Sequence, residues 1–278
     1  MKYNENQLGI PNYGPWYIVT LPTQDKIIEM NRIHGFIYNI IYSDDIKEFK
    51  GNKEIEFINY GSNQLIYVLT VNGINRYTLV VNQPSMNPLS GKSEFDNLSA
   101  LSKVNSNVVK PLYYFMDENH PELELYITKY EYQARCLGVE TTNWGMWVPE
   151  PYYHFIDFNN SDRKVVTSNM IALLIKFYDE DKQLGIVNCK LDGGDFMLKK
   201  SYITSGFNDE NILNNLELIA SRKMLSISLD EYINLITNEL TQPTKEHIFL
   251  LRNLVASIPD DAVYKGIDTG LKLRKLKR

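Results

Sequence analysis

Only two cysteines, Cys136 and Cys189, occur in 278 residues, too few for a disulfide framework or a zinc knuckle. The four histidines, His34, His120, His154 and His247, are scattered without metal-ligand spacing. Long apolar runs are missing as well. Met170 to Ile175 is the best and Lys176 ends it, well short of the roughly 18 residues a membrane span needs. Met1 to Pro15 is polar, without the basic start and apolar core of an export signal. Positive charge is not in excess either: 29 Lys+Arg stand against 34 Asp+Glu, a net charge of −5. That balance argues against a generic nucleic-acid binder, since phosphate backbones demand a basic face. No Walker lysine follows a glycine-rich loop, which removes the P-loop class. Ser62 and Ser93 lack the Gly-x-Ser-x-Gly setting of a hydrolase. The expectation is a soluble, cytoplasmic protein in a reducing compartment, with neither nucleic acid nor membrane as partner.

What is present suffices for a large core. Hydrophobic residues make up 44% of the chain, and a chain of this length buries about 70% or more of its unfolded surface. At roughly 100–200 residues per domain, it reads as one large domain or two lobes around a cleft.

Residues 1–53 read as an N-terminal extension packed on the domain. Within it, Ile27, Met30, Ile33 and Ile37 recur at helical spacing between Asp25 and Tyr42. The pattern then changes to strands: Glu54 to Tyr60, Gln64 to Val71, and Arg76 to Asn82. Gly61-Ser62-Asn63 forms the first turn, and Asn72-Gly73 a two-residue hairpin turn. Glu94, Leu98 and Leu101 mark a helix with Ser90 or Ser93 near its cap. Val108 to Phe115 and Leu123 to Tyr130 complete a five-strand antiparallel sheet interrupted by one helix. Residues 54–132 are thus expected to be a small β-rich lobe, and 133–278 a helical lobe with a loop at 186–198. In the second lobe, helices are expected at Ser168 to Tyr178, Asn211 to Met224, Leu229 to Leu240 and Thr244 to Ala256. Short extended pieces are expected at Ile186-Val187 and Phe196-Met197-Leu198, and the basic tail from Leu271 to Arg278 is expected to fray.

The hairpin from Ile58 to Val68 resembles the nucleotide-covering hairpin of aminoglycoside-phosphotransferase-type and choline-kinase-type enzymes. Asn72 to Pro84 is similar to their third strand, and Ser93-Glu94-Phe95-Asp96-Asn97-Leu98 to their helix with an ion-pairing glutamate. Gly185-Ile186-Val187-Asn188-Cys189-Lys190-Leu191-Asp192-Gly193-Gly194-Asp195 is similar to their catalytic loop. The likeness covers about Glu54 to Glu210 and implies an α+β, protein-kinase-like two-lobed fold. It further implies ATP and Mg²⁺ as cofactors, with a nucleotide or small molecule in the interlobe cleft. Backbone amides of Gly61, Ser62 and Asn63 would approach the phosphates, and Glu94 would hold the strand cation. The segment Thr128 to Glu131, with Lys129 and Glu131, would face the purine.

The site departs from that pattern. The strand cation falls on Val80, or on Asn82 in a shifted alignment, and neither is charged. The catalytic aspartate falls on Lys190 and the basic position after it on Asp192, as if the two charges were exchanged. Asp195 stands at the metal-binding asparagine, and the second metal carboxylate would fall at Asn208 or Asp209. Two readings follow. One is a pseudokinase-type protein that binds a ligand or a protein partner. The other is an atypical ATP/Mg-dependent phosphotransferase for a small hydroxylated molecule, with Asp192 as base, Lys190 steadying the phosphoryl group, and Asp195 and Asp209 holding the metal. Leu191 to Asp195 is also a sound β-turn in its own right. The aromatic stretch Tyr130 to Phe158 is either a packed insertion or a stacking wall.

Overall fold

A computed structural model of the chain describes residues 24–60, 64–82, 91–135, 160–186, 196–199, 208–221, 224–241 and 260–276. The chain divides into two compact units. Among the described residues, the first contains 24–60, 64–82, 91–95 and 110–130, and the second the remainder.

Strands rich in β-branched and aromatic residues build the first unit, and the central ones are buried on both faces. Strands β1 (Lys53–Tyr60), β2 (Gln64–Val71), β3 (Asn75–Asn82), β4 (Pro111–Met116) and β5 (Glu124–Lys129) form a five-stranded sheet in the order β1-β2-β3-β5-β4. Every pairing in it is antiparallel. Leu65, Tyr67 and Leu69 on β2, Leu79 and Val81 on β3, and Leu125 and Ile127 on β5 share one face, because strand side chains repeat every second residue. Helix α1 (Gln24–Ile41) lays Ile33, Ile37, Ile40 and Ile41 into the same cluster. The helix read from Asp25 to Tyr42 is therefore present, and its apolar stripe is core. Helix α2 (Gly91–Ser102) lies between β3 and β4 in the chain, as the sequence led us to expect.

The Asn72-Gly73 turn is one residue longer than read. Val71 pairs with Asn75, leaving Asn72, Gly73 and Ile74 between the strands. Asn72 and Gly73 adopt φ of 54° and 69°, the left-handed region that asparagine and glycine tolerate best. The Asn72 side chain fixes the turn by accepting from the Asn52 amide and donating to the Lys50 carbonyl.

The second unit is built on α3 (Asn160–Phe177). Every residue from Val166 to Ile175 is buried, the polar Thr167, Ser168 and Asn169 included, so this stretch of α3 is enclosed on all sides. Short strands flank it: β6 (Tyr132–Arg135), β8 (Phe196–Lys199) and β9 (Leu216–Leu218) form one sheet, and β7 (Leu184–Ile186) pairs with β10 (Met224–Ser226). Helix α5 (Leu229–Thr241) begins with a capping box, in which Ser228 and Glu231 bond each other's side chain and backbone amide.

Three expectations for this unit are corrected. The helix read from Asn211 to Met224 is instead α4 (Asp209–Asn215) followed by strand β9 and later β10. Asn107 explains the break: its side-chain amide donates to the Leu213 and Leu216 carbonyls, and its own carbonyl accepts from the Leu218 amide. A non-local ladder thereby overrides the helical period. Val108, read as the start of a strand toward Phe115, bridges Leu218, and β4 begins only at Pro111. The tail expected to fray is helix α6 (Asp260–Lys275), held to α3. Arg274 donates to the Ile175 and Tyr178 carbonyls at the C-terminal end of α3. The expected helix from Thr244 to Ala256 lies outside the described residues. No helix among the described residues is long and apolar enough to cross a membrane.

Close approach of α6 to α3 depends on Gly266. A Cβ there would lie 2.6 Å from the Ser168 carbonyl oxygen and 2.7 Å from the Ile171 Cβ. Gly35, exposed within α1, has nothing within 4 Å. We therefore expect opposite signs from two similar substitutions. Gly266→Val should destabilise by about 1–3 kcal/mol through overpacking. Gly35→Ala should stabilise by about 0.5–1 kcal/mol through helix propensity. Denaturant midpoints read both, and equal signs would contradict the packing described.

Candidate functional site

A group of buried polar residues of the first unit gathers at one end of its sheet. Strand alternation puts Gln64 on β2, Asn82 on β3 and Glu124 on β5 on the face away from α1, and pairing aligns Gln64 with Asn82 and Asn82 with Glu124. All three are buried, and so is Glu94 on α2. Buried carboxylates are stable only when their oxygens are met by donors. Glu94 Oε2 accepts from Gln64 Nε2 at 2.5 Å.

Glu124 has more donors. Its Oε2 accepts from the Gly91 amide at 2.5 Å and from Asn82 Nδ2 at 3.5 Å. Its Oε1 accepts from the Lys92 amide at 3.1 Å and from the Tyr114 hydroxyl at 2.6 Å. A carboxylate from a distant strand thus caps the first described amides of α2; Ser90, one of the two serines expected near the cap, lies outside the described residues. The carboxylate satisfies these amides and sits at the positive end of the helix dipole. Sequence reading missed Glu124 because capping was looked for only in the local chain. The available signal was an acid followed directly by the apolar run Leu125, Tyr126 and Ile127 of the same strand.

Of the residues singled out from the sequence, Glu94, Lys129, Glu131 and Asp209 are described. Lys129 is exposed at the end of β5, opposite Tyr77 in the ladder. Next to it, the Tyr130 amide donates to the Arg76 carbonyl and the Arg76 guanidinium lies 4.5 Å from the Tyr130 ring centroid. Glu131 is exposed just before β6. Asp209, in the second unit, opens α4. Its Oδ1 accepts from Asn169 Nδ2 at 3.1 Å and its Oδ2 pairs with Lys265 Nζ at 2.6 Å. In this arrangement both carboxylate oxygens serve a tie between α3, α4 and α6. Asn169 and Lys265 were not anticipated, since only the fold makes them neighbours of Asp209. Gly61, Ser62, Asn63, Lys190, Asp192 and Asp195 lie outside the described residues. Among the described residues, no group of three or more His, Cys, Asp or Glu could hold a metal ion.

The two strand positions considered for a cation are also placed. Val80 is buried on β3, and Asn82 directs its amide to Glu124. Chemically, this end of the sheet joins carboxylates to carboxamides, a phenol and backbone amides. Such a set fixes α2 against the sheet.

If Glu124 is the cap described, Glu124→Gln should cost about 2–4 kcal/mol, because a carboxamide offers one acceptor and turns an NH₂ toward donors. Tyr114→Phe should cost about 0.5–1.5 kcal/mol, the net worth of one hydrogen bond. Urea unfolding measures both, and a Glu124→Gln midpoint equal to the unaltered protein's would refute the cap.

No family model matches this chain, and no curated protein does. Among solved structures, the chain is similar to the crystal structure of a candidate aminoglycoside phosphotransferase from Ralstonia eutropha JMP134. The identity is 14% and the TM-score 0.32, over 52% of this chain and 38% of the other. The chain thus spans less than half the length of the structure it matches, and a likeness of this size carries neither activity nor substrate. The mixed content, with a five-stranded antiparallel sheet and separate helices, is that of an α+β fold, the class expected from the sequence.

Proposed function

We propose that this is a protein of kinase-like fold with a degenerate site, which binds a ligand or a protein partner without transferring phosphate. The observation that carries this reading is that neither strand position considered as the partner of Glu94, Val80 or Asn82, carries a charge. In the resemblance, that glutamate belongs to a strand cation which positions phosphates. Here the strand positions are Val80 and Asn82, and Asn82 is turned to Glu124. Losing such a cation removes electrostatic stabilisation, often the largest single contribution to catalysis. Asp209, proposed from the sequence as a metal carboxylate, is engaged by Lys265 and Asn169, which adds support. On this reading Gly61, Ser62, Asn63, Lys129 and Glu131 remain the proposed contacts for a nucleotide or small molecule. Lys190, Asp192 and Asp195 then carry out no phosphoryl transfer.

Thermal unfolding with ATP, in Mg²⁺ and in EDTA, tests the reading. A ligand at a hundred times its Kd stabilises by about 2.7 kcal/mol. We expect the same stabilisation with and without metal, and no consumption of ATP. Stabilisation that requires Mg²⁺, accompanied by phosphoryl transfer to a small alcohol, would overturn the degenerate site in favour of the atypical enzyme. No stabilisation by any nucleotide would overturn the nucleotide part of the proposal.

A further inference from the structure

A histidine sits inside the interface between α1 and the sheet. His34 is 2% exposed, on a helix whose neighbouring residues Ile33 and Ile37 lie in the hydrophobic cluster. Its Nε2 shares a hydrogen bond of 3.3 Å with the Tyr67 hydroxyl of β2, and the two rings meet edge to face. Its other ring nitrogen, Nδ1, is buried with no hydrogen-bond partner.

We propose that α1 is an acid-released cover of the first unit's sheet and that His34 is its trigger. With its proton on Nε2 and donated to Tyr67, a neutral imidazole leaves Nδ1 as a bare acceptor, which an apolar interface tolerates at modest cost. A protonated one needs two acceptors and a counter-charge, and among the described residues the imidazole meets only the Tyr67 hydroxyl. The other charged and titratable groups of the described interface are committed elsewhere. Arg32, two residues earlier on α1, contacts His120 and Glu122 of the β4–β5 turn. Glu48 accepts from Tyr113, Phe49 packs on Tyr77, and Lys53 lies over Tyr42. Among the described residues no carboxylate is within ion-pairing distance of the imidazole. Opening α1 would give His34 to water and uncover Leu65, Tyr67, Leu69, Leu79 and Ile127.

The sign follows from proton binding. Burial lowers the His34 pKa from 6.5 to about 4 in the closed state. Between those values the open state binds a proton that the closed state refuses, so opening is favoured as pH falls. Above the open-state value both forms are neutral and the effect vanishes. From pH 7 to pH 5 the opening equilibrium should rise roughly 20-fold.

Backbone hydrogen exchange on the full chain at pH 7, 6 and 5, corrected for intrinsic exchange chemistry, tests this. Amides of Ile33, Ile37 and Ile41 should lose roughly 20-fold in protection, while those of β3 and β5 change by less than about 3-fold. His34→Leu should abolish that difference, and His120→Asn should leave it in place. Should His34→Leu fail to fold, NMR titration of the His34 ring in the unaltered protein decides. A ring neutral down to pH 5 supports the trigger, and one that titrates near 6.5 overturns it. Loss of protection in α1 and the sheet together, or an unchanged acid response in His34→Leu, would equally overturn it.

Discussion

The Glu124 carboxylate is the contact on which the candidate site rests. It lies in β5, buried, and draws together the start of α2, the side chain of Asn82 on β3 and the hydroxyl of Tyr114 on β4. A charge taken out of water is stable only when its oxygens are fully engaged, so these donors cannot be changed one at a time without cost. With the helix start held this way, Glu94 is set against Gln64. The geometry of α2 on the sheet thus depends on amide-to-carboxylate contacts, a positioning device that needs no strand cation. This separation of architecture from phosphate chemistry underlies the functional reading.

The second unit is tied by the same kind of chemistry at other points. Asn107 ends α4 and starts the ladder with β9, while its side-chain oxygen accepts from Lys176 of α3. Glu217 on β9 accepts from the Tyr132 hydroxyl and pairs with Lys199. Arg274 closes the C-terminal end of α3 and pairs with Glu180. Asn107 and Arg274, each distant in sequence from the carbonyls it meets, supply what the local backbone lacks, as buried backbone groups require.

That dependence on distant partners sets what the sequence could reveal. The sheet was legible, because period-two alternation and the Asn72-Gly73 pair are local signals. So was α1, whose isoleucines repeat at helical spacing. Strands β9 and β10 were not, since a three-residue strand carries no period of its own and gains its identity from pairing. Helix α6 was obscured by Gly266 and Gly270, poor helix formers in isolation, which here are the residues that admit α3. Within the candidate site, Glu94 was legible from the motif around it. Gln64 and Glu124 were passed over because polar residues in an alternating strand read as solvent-facing, whereas here the second face is buried too. Asp209 was legible as an acid, but its engagement by Lys265 and Asn169 belongs to the fold alone.

The central claim of the proposed function is that the strand positions where phosphates would find a cation, Val80 and Asn82, are uncharged while α2 stays fixed on the sheet. Calorimetric titration with adenosine, ADP and ATP in Mg²⁺ compares affinities along a series that differs only in phosphate. The account predicts binding constants within about 3-fold of one another, since without cation or metal each phosphate adds little net energy. Affinity that climbs about 30-fold or more from adenosine to ATP, and collapses when Mg²⁺ is chelated, would contradict it.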